Sequence, residues 1–222
     1  MLPPGTQAGD SVPVDDPGSG HFRLARQLLD EVGRYQPAGS LLDIGCGFGH
    51  LLRLALDRDY DAVGLDASLA AAEFAQAAFG VEPIVGFFPG HEFEAGSFDV
   101  VVMNHVLEHL PEPRSALSEV ARALKPGGIL AVGAPDFDSL VCRIRGAMWQ
   151  GIQPSQHVWQ LSTRSILELA KAAGLTAVAV RRGNLEYPRG PRRLPKWLVL
   201  RSVLAVASLV GMGDNAIILA RK

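Results

Sequence analysis

Cysteine is almost missing from this chain. Two thiols in 222 residues build no disulfide framework, and no Cys/His spacing reads as a zinc ligand set, so no metal is expected. Neither sign of charge prevails. Lys and Arg number 21 against 23 Asp and Glu, a net of −2, which leaves no basic field for bulk nucleic-acid binding. The opening Met1-Leu2-Pro3-Pro4-Gly5 has no basic stretch ahead of an apolar core, so no signal peptide is expected and the cytoplasm is the expected compartment. No apolar run reaches the roughly 20 residues that cross a bilayer. Residues 1 to about 20 are rich in Pro, Gly, Asp and Ser, have almost nothing to bury, and read as a disordered tail. What remains, 21–222, suffices for one domain with a sizeable core.

The stretch that organises the rest is Leu41-Leu42-Asp43-Ile44-Gly45-Cys46-Gly47-Phe48-Gly49-His50-Leu51-Leu52. An apolar run ends in an acid, three alternating glycines follow, and a helical apolar pattern begins. That is a buried strand turning sharply into a helix. Glycines permit positive φ and remove Cβ atoms, while a helix start offers unpaired N–H groups and a positive dipole end. The guest such a turn suits is a nucleotide-like molecule carrying an anionic group. The alternative is a turn that uses glycine only for tight packing. A dinucleotide fingerprint, Gly-x-Gly-x-x-Gly, would need its third glycine at position 50, which is His50.

The order of elements can be read from periodicity. A helix over His21 to Tyr35 ends at Pro37-Ala38-Gly39. A helix over Leu51 to Arg58 leads to a strand, Ala62-Val63-Gly64-Leu65, ending at Asp66, and a helix follows over Ser68 to Phe79. An acid at the end of a second strand can accept from both ribose hydroxyls; otherwise Asp66 is a surface acid capping the next helix. Pro83 to Phe88 reads as a third strand. Ser97-Phe98-Asp99-Val100-Val101-Val102-Met103-Asn104 reads as a fourth, opening at Asn104 and His105 onto a ligand crevice. A helix through Leu124 is broken by Lys125-Pro126-Gly127-Gly128 before a fifth strand over Ile129 to Ala134.

The spacing Asp43-x-Gly45-x-Gly47-x-Gly49, Asp66 downstream, and the phrases "SFDVVVMNHVLEHLPEP" and "LKPGGILAVGAPD" resemble, in order, the motifs of class I S-adenosylmethionine-dependent methyltransferases over about residues 40–136. The resemblance implies an α/β fold: a doubly wound, Rossmann-like, seven-stranded and mostly parallel sheet with helices on both faces and an antiparallel last strand over about Asn215 to Ala220. It implies S-adenosylmethionine as cofactor, with the glycine loop of Gly45, Cys46, Gly47 and Gly49 along its methionine and ribose portions. Asp43 falls near the methionine end, Asp66 and Ala67 near the ribose, and Asn104 and His105 at the end of the fourth strand. The family often has an acid at the adenine. This chain has Phe87-Phe88-Pro89-Gly90-His91-Glu92, so Phe87 or Phe88 either stacks on the base or belongs to the core. The leading helix either caps the cofactor site or simply packs on the sheet.

Beyond Pro135 the chain turns to substrate. Residues about 136–160 read as a loop-like lid holding two of the three tryptophans, and Ser162-Thr163 caps a helix over Arg164 to Ala173 before a sixth strand from Leu175 to Arg181. A family branch acting on small molecules and on glycan- or lipid-linked substrates has a similar W-x-G…P-x-x-H…S pattern, here Trp149, Gly151, Pro154, His157 and Ser162. Histidine suits proton uptake from a hydroxyl acceptor near neutral pH. The catalytic candidates are His157, then His105, then His109; a His157 bonded locally to anchor the lid is the competing reading.

The expected function is methyl transfer from S-adenosylmethionine to a small-molecule, lipid-linked or glycan acceptor. The alternatives are a nucleic-acid methyltransferase, which the absence of an amino-methylation motif at Asn104-His105 disfavours, and a non-catalytic S-adenosylmethionine-binding module. About 183–213 is an expected helical insertion. Its Trp197 to Met212 stretch is apolar almost all round but contains Arg201, and follows a basic cluster of Arg181, Arg182, Arg189, Arg192, Arg193 and Lys196. Such a helix packs over the substrate pocket, against a second copy in a homodimer, or peripherally on the inner, anionic face of a membrane.

Overall fold

The computed structural model describes residues 20–149, 151–183 and 213–222. Apart from their edges, the expected N-terminal tail and the expected insertion of about 183–213 lie outside the described residues. The elements are α1 (Gly20–Gly33), β1 (Gly39–Ile44), α2 (His50–Leu56), β2 (Tyr60–Asp66), α3 (Leu69–Phe79), β3 (Ile84–Val85), β4 (Phe98–Asn104), α4 (Pro113–Ala123), β5 (Leu124–Pro135), α5 (Leu140–Arg145), α6 (Thr163–Ala172), β6 (Thr176–Gly183) and β7 (Asn215–Arg221). Single 3₁₀ turns lie at Leu107–His109 and Gly146–Met148.

The seven strands form one open sheet in the order β3-β2-β1-β4-β5-β7-β6. All pairings are parallel except those of β7, which runs antiparallel to β5 and β6. The chain winds outward from β1 to β3, then returns to place β4 on the other side of β1. That reversal opens a crevice beyond the carboxyl ends of β1 and β4, where open α/β sheets take their ligands.

Two-residue periodicity divides the core between the faces. Leu42, Val101, Met103, Leu130 and Val132 point to the face covered by α4 and α6, packing with Leu117, Val120, Ile166 and Ala170. Their neighbours Leu41, Val100, Val102, Ile129 and Ala131 face α1 and α2, against Leu28, Leu29, Val32, Leu51 and Ala55. These strands are therefore apolar on both sides, the pattern of a doubly covered parallel sheet. Each fully buried aliphatic side chain contributes about 1.5–3 kcal/mol of transfer free energy.

Three local expectations need revision. β3 is only Ile84–Val85 rather than reaching Phe88. The Lys125-Pro126-Gly127-Gly128 segment ends α4 but already belongs to β5, because Phe98 pairs with Leu124. The expected loop after Asp136 contains α5, started by Ser139, whose hydroxyl accepts from Cys142 N at 3.1 Å. Among the described residues no helix is long and apolar enough to cross a membrane.

Candidate active site

The glycine turn is laced to the neighbouring strand: Gly45 N and Cys46 N donate to Leu65 O at 2.7 and 3.2 Å. Its glycines do different work. A Cβ on Gly45 would collide with Val106, so that glycine makes room for the segment after β4. Gly49 holds φ 81° at the start of α2, and a Cβ there would come within 2.8 Å of Ala75 Cβ and 3.0 Å of Val81 Cγ2, so it makes room for α3. Only Gly47, at φ 51°, projects into open space, with nothing within 4 Å of a notional Cβ. All three glycines have the positive φ expected of them, and the space left by their missing Cβ atoms is taken up by protein at Gly45 and Gly49 and is open at Gly47.

Asp66 ends β2 and faces that open turn. Its carboxylate accepts from Gly47 N and Ser68 N, both at 2.8 Å. The cap of α3 is Ser68, whose Oγ accepts from Ala71 N, so Asp66 is not a capping residue. Asp43 lies behind the turn and is 2 % exposed. Burial, reinforced by the Asp66 carboxylate, pushes it up to about 8. Burial and these two acids also push the Cys46 thiol upward, so it stays protonated and is no nucleophile.

A cleft of about 280 Å³ opens beyond β1, β2 and β4, with Gly45, Asp66, Ala67, Phe87, Phe88 and His105 in its walls alongside Ile44, Leu65, Gly86, Val106, His109 and Leu110. Among the expected cofactor residues, Asp43, Cys46, Gly47, Gly49 and Asn104 do not line it. The side chain of Asn104 lies over Gly133, whose missing Cβ gives it space. Phe87 is 75 % exposed at the rim, available to an aromatic base, whereas Phe88 packs on the core. An acid at the tip of β2, a Cβ-free turn beside it and an aromatic rim fit the ribose and base of S-adenosylmethionine. A larger groove, about 720 Å³, lies between α4 and α6 and shares no residue with this cleft.

The other end of the cleft is polar. His105 follows β4 with φ 56°, a conformation that costs about 1–3 kcal/mol outside glycine, and its N donates to Gly133 O at 2.8 Å. Its Nδ1 is 3.3 Å from Oε1 of Glu108. Glu108, 1 % exposed, is the site residue that sequence reasoning missed; the available signal was an acid between Leu107 and Leu110 with a histidine at its side. His109 and His157, 48 positions apart in sequence, meet with ring centroids 4.8 Å apart. The segment that carries His157 is docked by Val158 N and Trp159 N, which both donate to Glu108 O, and by Trp159 Nε1, which donates to Leu110 O. His157 does make the local bond of a lid anchor, Nδ1 to Gly151 O at 3.0 Å. Its ring is held below the usual imidazole range, chiefly by burial, with Glu108 opposing.

The other residues of the W-x-G…P-x-x-H…S pattern also have structural reasons. Trp149 is buried and donates from Nε1 to Asp214 Oδ2 at 2.8 Å, and a Cβ on Gly151 would strike the Trp149 ring. Asp136 holds the other end, accepting from Thr163 N, Thr163 Oγ1 and Arg182 Nε. Ser162 and Ser165 form a reciprocal capping box at the start of α6.

Residues 19–180 match the methyltransferase domain family. The chain is 37% identical over 101 residues to a ubiquinone biosynthesis O-methyltransferase of Hahella chejuensis, 42% of each chain. It is 34% identical over 118 residues to a trans-aconitate 2-methyltransferase of Azoarcus sp., 51% of this chain and 45% of that one. The matched stretch spans about half or less of the length of most of the curated relatives. Among solved structures, an S-adenosylmethionine-dependent methyltransferase from Thermotoga maritima is similar with a TM-score of 0.68 at 22% identity, over 91% of this chain and 90% of that one. A geranyl diphosphate methyltransferase in complex with its diphosphate and sinefungin is similar with a TM-score of 0.61 at 21% identity, over 90% and 78%. With that match across most of its length, on this sheet topology and this cleft, the chain belongs to the class I S-adenosylmethionine-dependent methyltransferases.

Proposed function

We propose that this protein methylates an oxygen nucleophile of a small acceptor, free or carried on a lipid or glycan. The observation that carries this reading is the junction of two environments. His105 and His109 belong both to the wall of the cofactor cleft and to the cluster of Glu108 and His157. Bound S-adenosylmethionine supplies a methyl group already activated by its sulfonium. In the free protein Asp66 holds the glycine turn through Gly47 N, and each of its oxygens keeps a lone pair for a ribose hydroxyl. At the far end the imidazoles accept the acceptor hydroxyl's proton, His157 first. The acceptor oxygen would take that methyl group as the C–S bond breaks, with the electron pair of that bond left on sulfur. Holding oxygen, carbon and sulfur in line can contribute about 7–11 kcal/mol, and a base about 10²–10⁴-fold more.

Residues 136–160 are the substrate-facing wall in this reading. The described ends of the connection from Gly183 to Gly213 stand at the carboxyl edge of the sheet, on which the cleft opens, because Gly183 pairs with Asn215 beside Pro135. A basic and apolar sequence at that edge suits a lipid-linked acceptor presented at an anionic membrane surface. The test is mass spectrometry of a cell extract incubated with protein and cofactor. A 14-dalton gain on a hydroxyl or carboxyl compound is the expected result. A gain on nitrogen or carbon refutes the oxygen acceptor, and tight cofactor binding with no gain on any compound refutes the enzyme.

A further inference from the structure

Glu108, His109 and His157 bring three metal-capable side chains together, with their donor atoms all within 4.8 Å of one another. Each imidazole is already oriented. Nδ1 of His109 lies 2.9 Å from Gln156 O and Nδ1 of His157 lies 3.0 Å from Gly151 O. A carbonyl only accepts, so Nδ1 carries the proton in both rings and a neutral ring keeps its lone pair on Nε2. A backbone carbonyl behind each imidazole is the support that metal-ligating histidines usually have.

The carboxylate supplies a second, independent observation. Glu108 is 1 % exposed, and neither of its oxygens receives a hydrogen bond among the described residues. Among the described residues the one cation within ion-pair distance is His105, 3.3 Å from Oε1 and charged only when protonated. A buried carboxylate without donors is penalised by several kcal/mol. A divalent cation supplies the missing charge.

We propose that Glu108, His109 and His157 form a binding site for a divalent first-row cation of the zinc type. Two imidazoles and one carboxylate suit Zn²⁺ or Co²⁺, whereas Mg²⁺ and Ca²⁺ prefer all-oxygen shells. Three protein ligands leave a position open. This deepens the methyl-transfer reading and rests on it only for what fills that position. An acceptor oxygen bound there has its pKa lowered. In the loaded protein the imidazoles are ligands, so the hydroxyl proton leaves to bulk water rather than to His157. No metal-ligand spacing points to the site from the residues alone, because His157 comes from a segment 48 positions after His109.

The experiment is a Co²⁺ titration of the full chain after chelator treatment, followed by visible d–d absorption, with Zn²⁺ displacement as confirmation. The expected result is stoichiometric binding with a tetrahedral or five-coordinate spectrum. Glu108→Gln and His157→Ala should each weaken it by more than about 100-fold, beyond the 10–100-fold typical of losing a supporting group. Asp66→Asn, at the other end of the cleft, should lose cofactor affinity and keep the spectrum, which guards against misreading a misfolded variant. An octahedral aqua-like spectrum, or binding unchanged in both ligand variants, overturns the site. Failure of the chelator-treated protein to bind Co²⁺ while it still transfers methyl overturns the metal inference and leaves the methyltransferase reading intact. Stoichiometric Co²⁺ without any methyl transfer supports the site and overturns that reading instead.

Discussion

Replacing Asp43 with asparagine should stabilise the free protein and weaken its hold on cofactor. Asp43 is 2 % exposed, and burial with the nearby Asp66 charge raises it from 3.8 to about 8. A raised acid binds its proton more tightly when folded, so between pH 3.8 and about 8 folding takes up a proton. Stability attributable to this group therefore falls as pH climbs through that window, and the whole penalty is present above it. At pH 7 nearly all of the interval from 3.8 has been crossed, roughly three pKa units, or about 4 kcal/mol. Discounting by half for relaxation leaves about 2 kcal/mol, a rise of about 4–8 °C in Tm for a domain of this size. Asparagine is isosteric and carries no charge, so Asp43→Asn should melt higher than the parent at pH 7. The gap should shrink toward pH 4. Cofactor binding reverses the sign, since a cationic methionine end favours the ionised acid. Parent affinity should rise toward pH 8, and that of Asp43→Asn should be weaker and flat. Thermal melts at pH 4, 5.5, 7 and 8.5, each paired with calorimetric titration of cofactor, measure both. A variant that melts lower at pH 7, or by a margin that ignores pH, refutes the claim that folding must neutralise a buried acid there.

Other expectations follow from single contacts. Gly49→Val should cost about 3 kcal/mol or more of stability through φ 81° and the clash with Ala75 and Val81, while Gly47→Val, strained at φ 51° but in open space, should cost only about 1–3 kcal/mol, still fold, and lose cofactor affinity; denaturant melts against calorimetry separate them, and the reverse pattern would sink the division of labour in the turn. Asp66→Ala should raise the cofactor Kd by at least about tenfold, since two hydroxyls lose a charged acceptor; an unchanged Kd would move the ribose elsewhere. Trp149→Phe removes the indole bond to Asp214 and should cost about 1.5–3 kcal/mol, read as a lower urea midpoint at constant m; an unchanged midpoint would mean that bond is dispensable. Full-length protein should float with anionic liposomes at low salt and less at high salt, and sedimentation with the soluble fraction in both conditions would end the membrane proposal.

Much of this architecture is legible because local chemistry and tertiary need agree. Ser68 and Ser162 start the helices they should, and the apolar runs at 100–103 and 129–132 are buried on both faces as a central parallel sheet requires. What could not be read depends on partners distant in sequence. The Trp149 indole finds Asp214 across 65 positions, and periodicity carries no information about such a pairing. The carbonyl of Glu108 likewise finds its donors at Val158 N and Trp159 N, in a segment the chain reaches only much later. α5, at six residues, is too short for a 3.6-residue rhythm to emerge. The three glycines look equivalent as letters, and the neighbours that distinguish them belong to other elements: Val106 after β4, and Ala75 of α3 with Val81 just beyond it.

The docking of residues 156–159 onto 108–111 sets the direction of traffic. Lifting that segment would break two backbone bonds to one carbonyl and the Trp159 indole bond, while Trp149 and Asp136 hold the preceding stretch through buried carboxylates. At about 0.5–1.5 kcal/mol for each neutral bond and more for the charged ones, the sum far exceeds thermal energy. This side of the cleft is masonry rather than a door. Molecules come and go past the exposed rim at Phe87, and discrimination among acceptors falls to the fixed contour they meet inside.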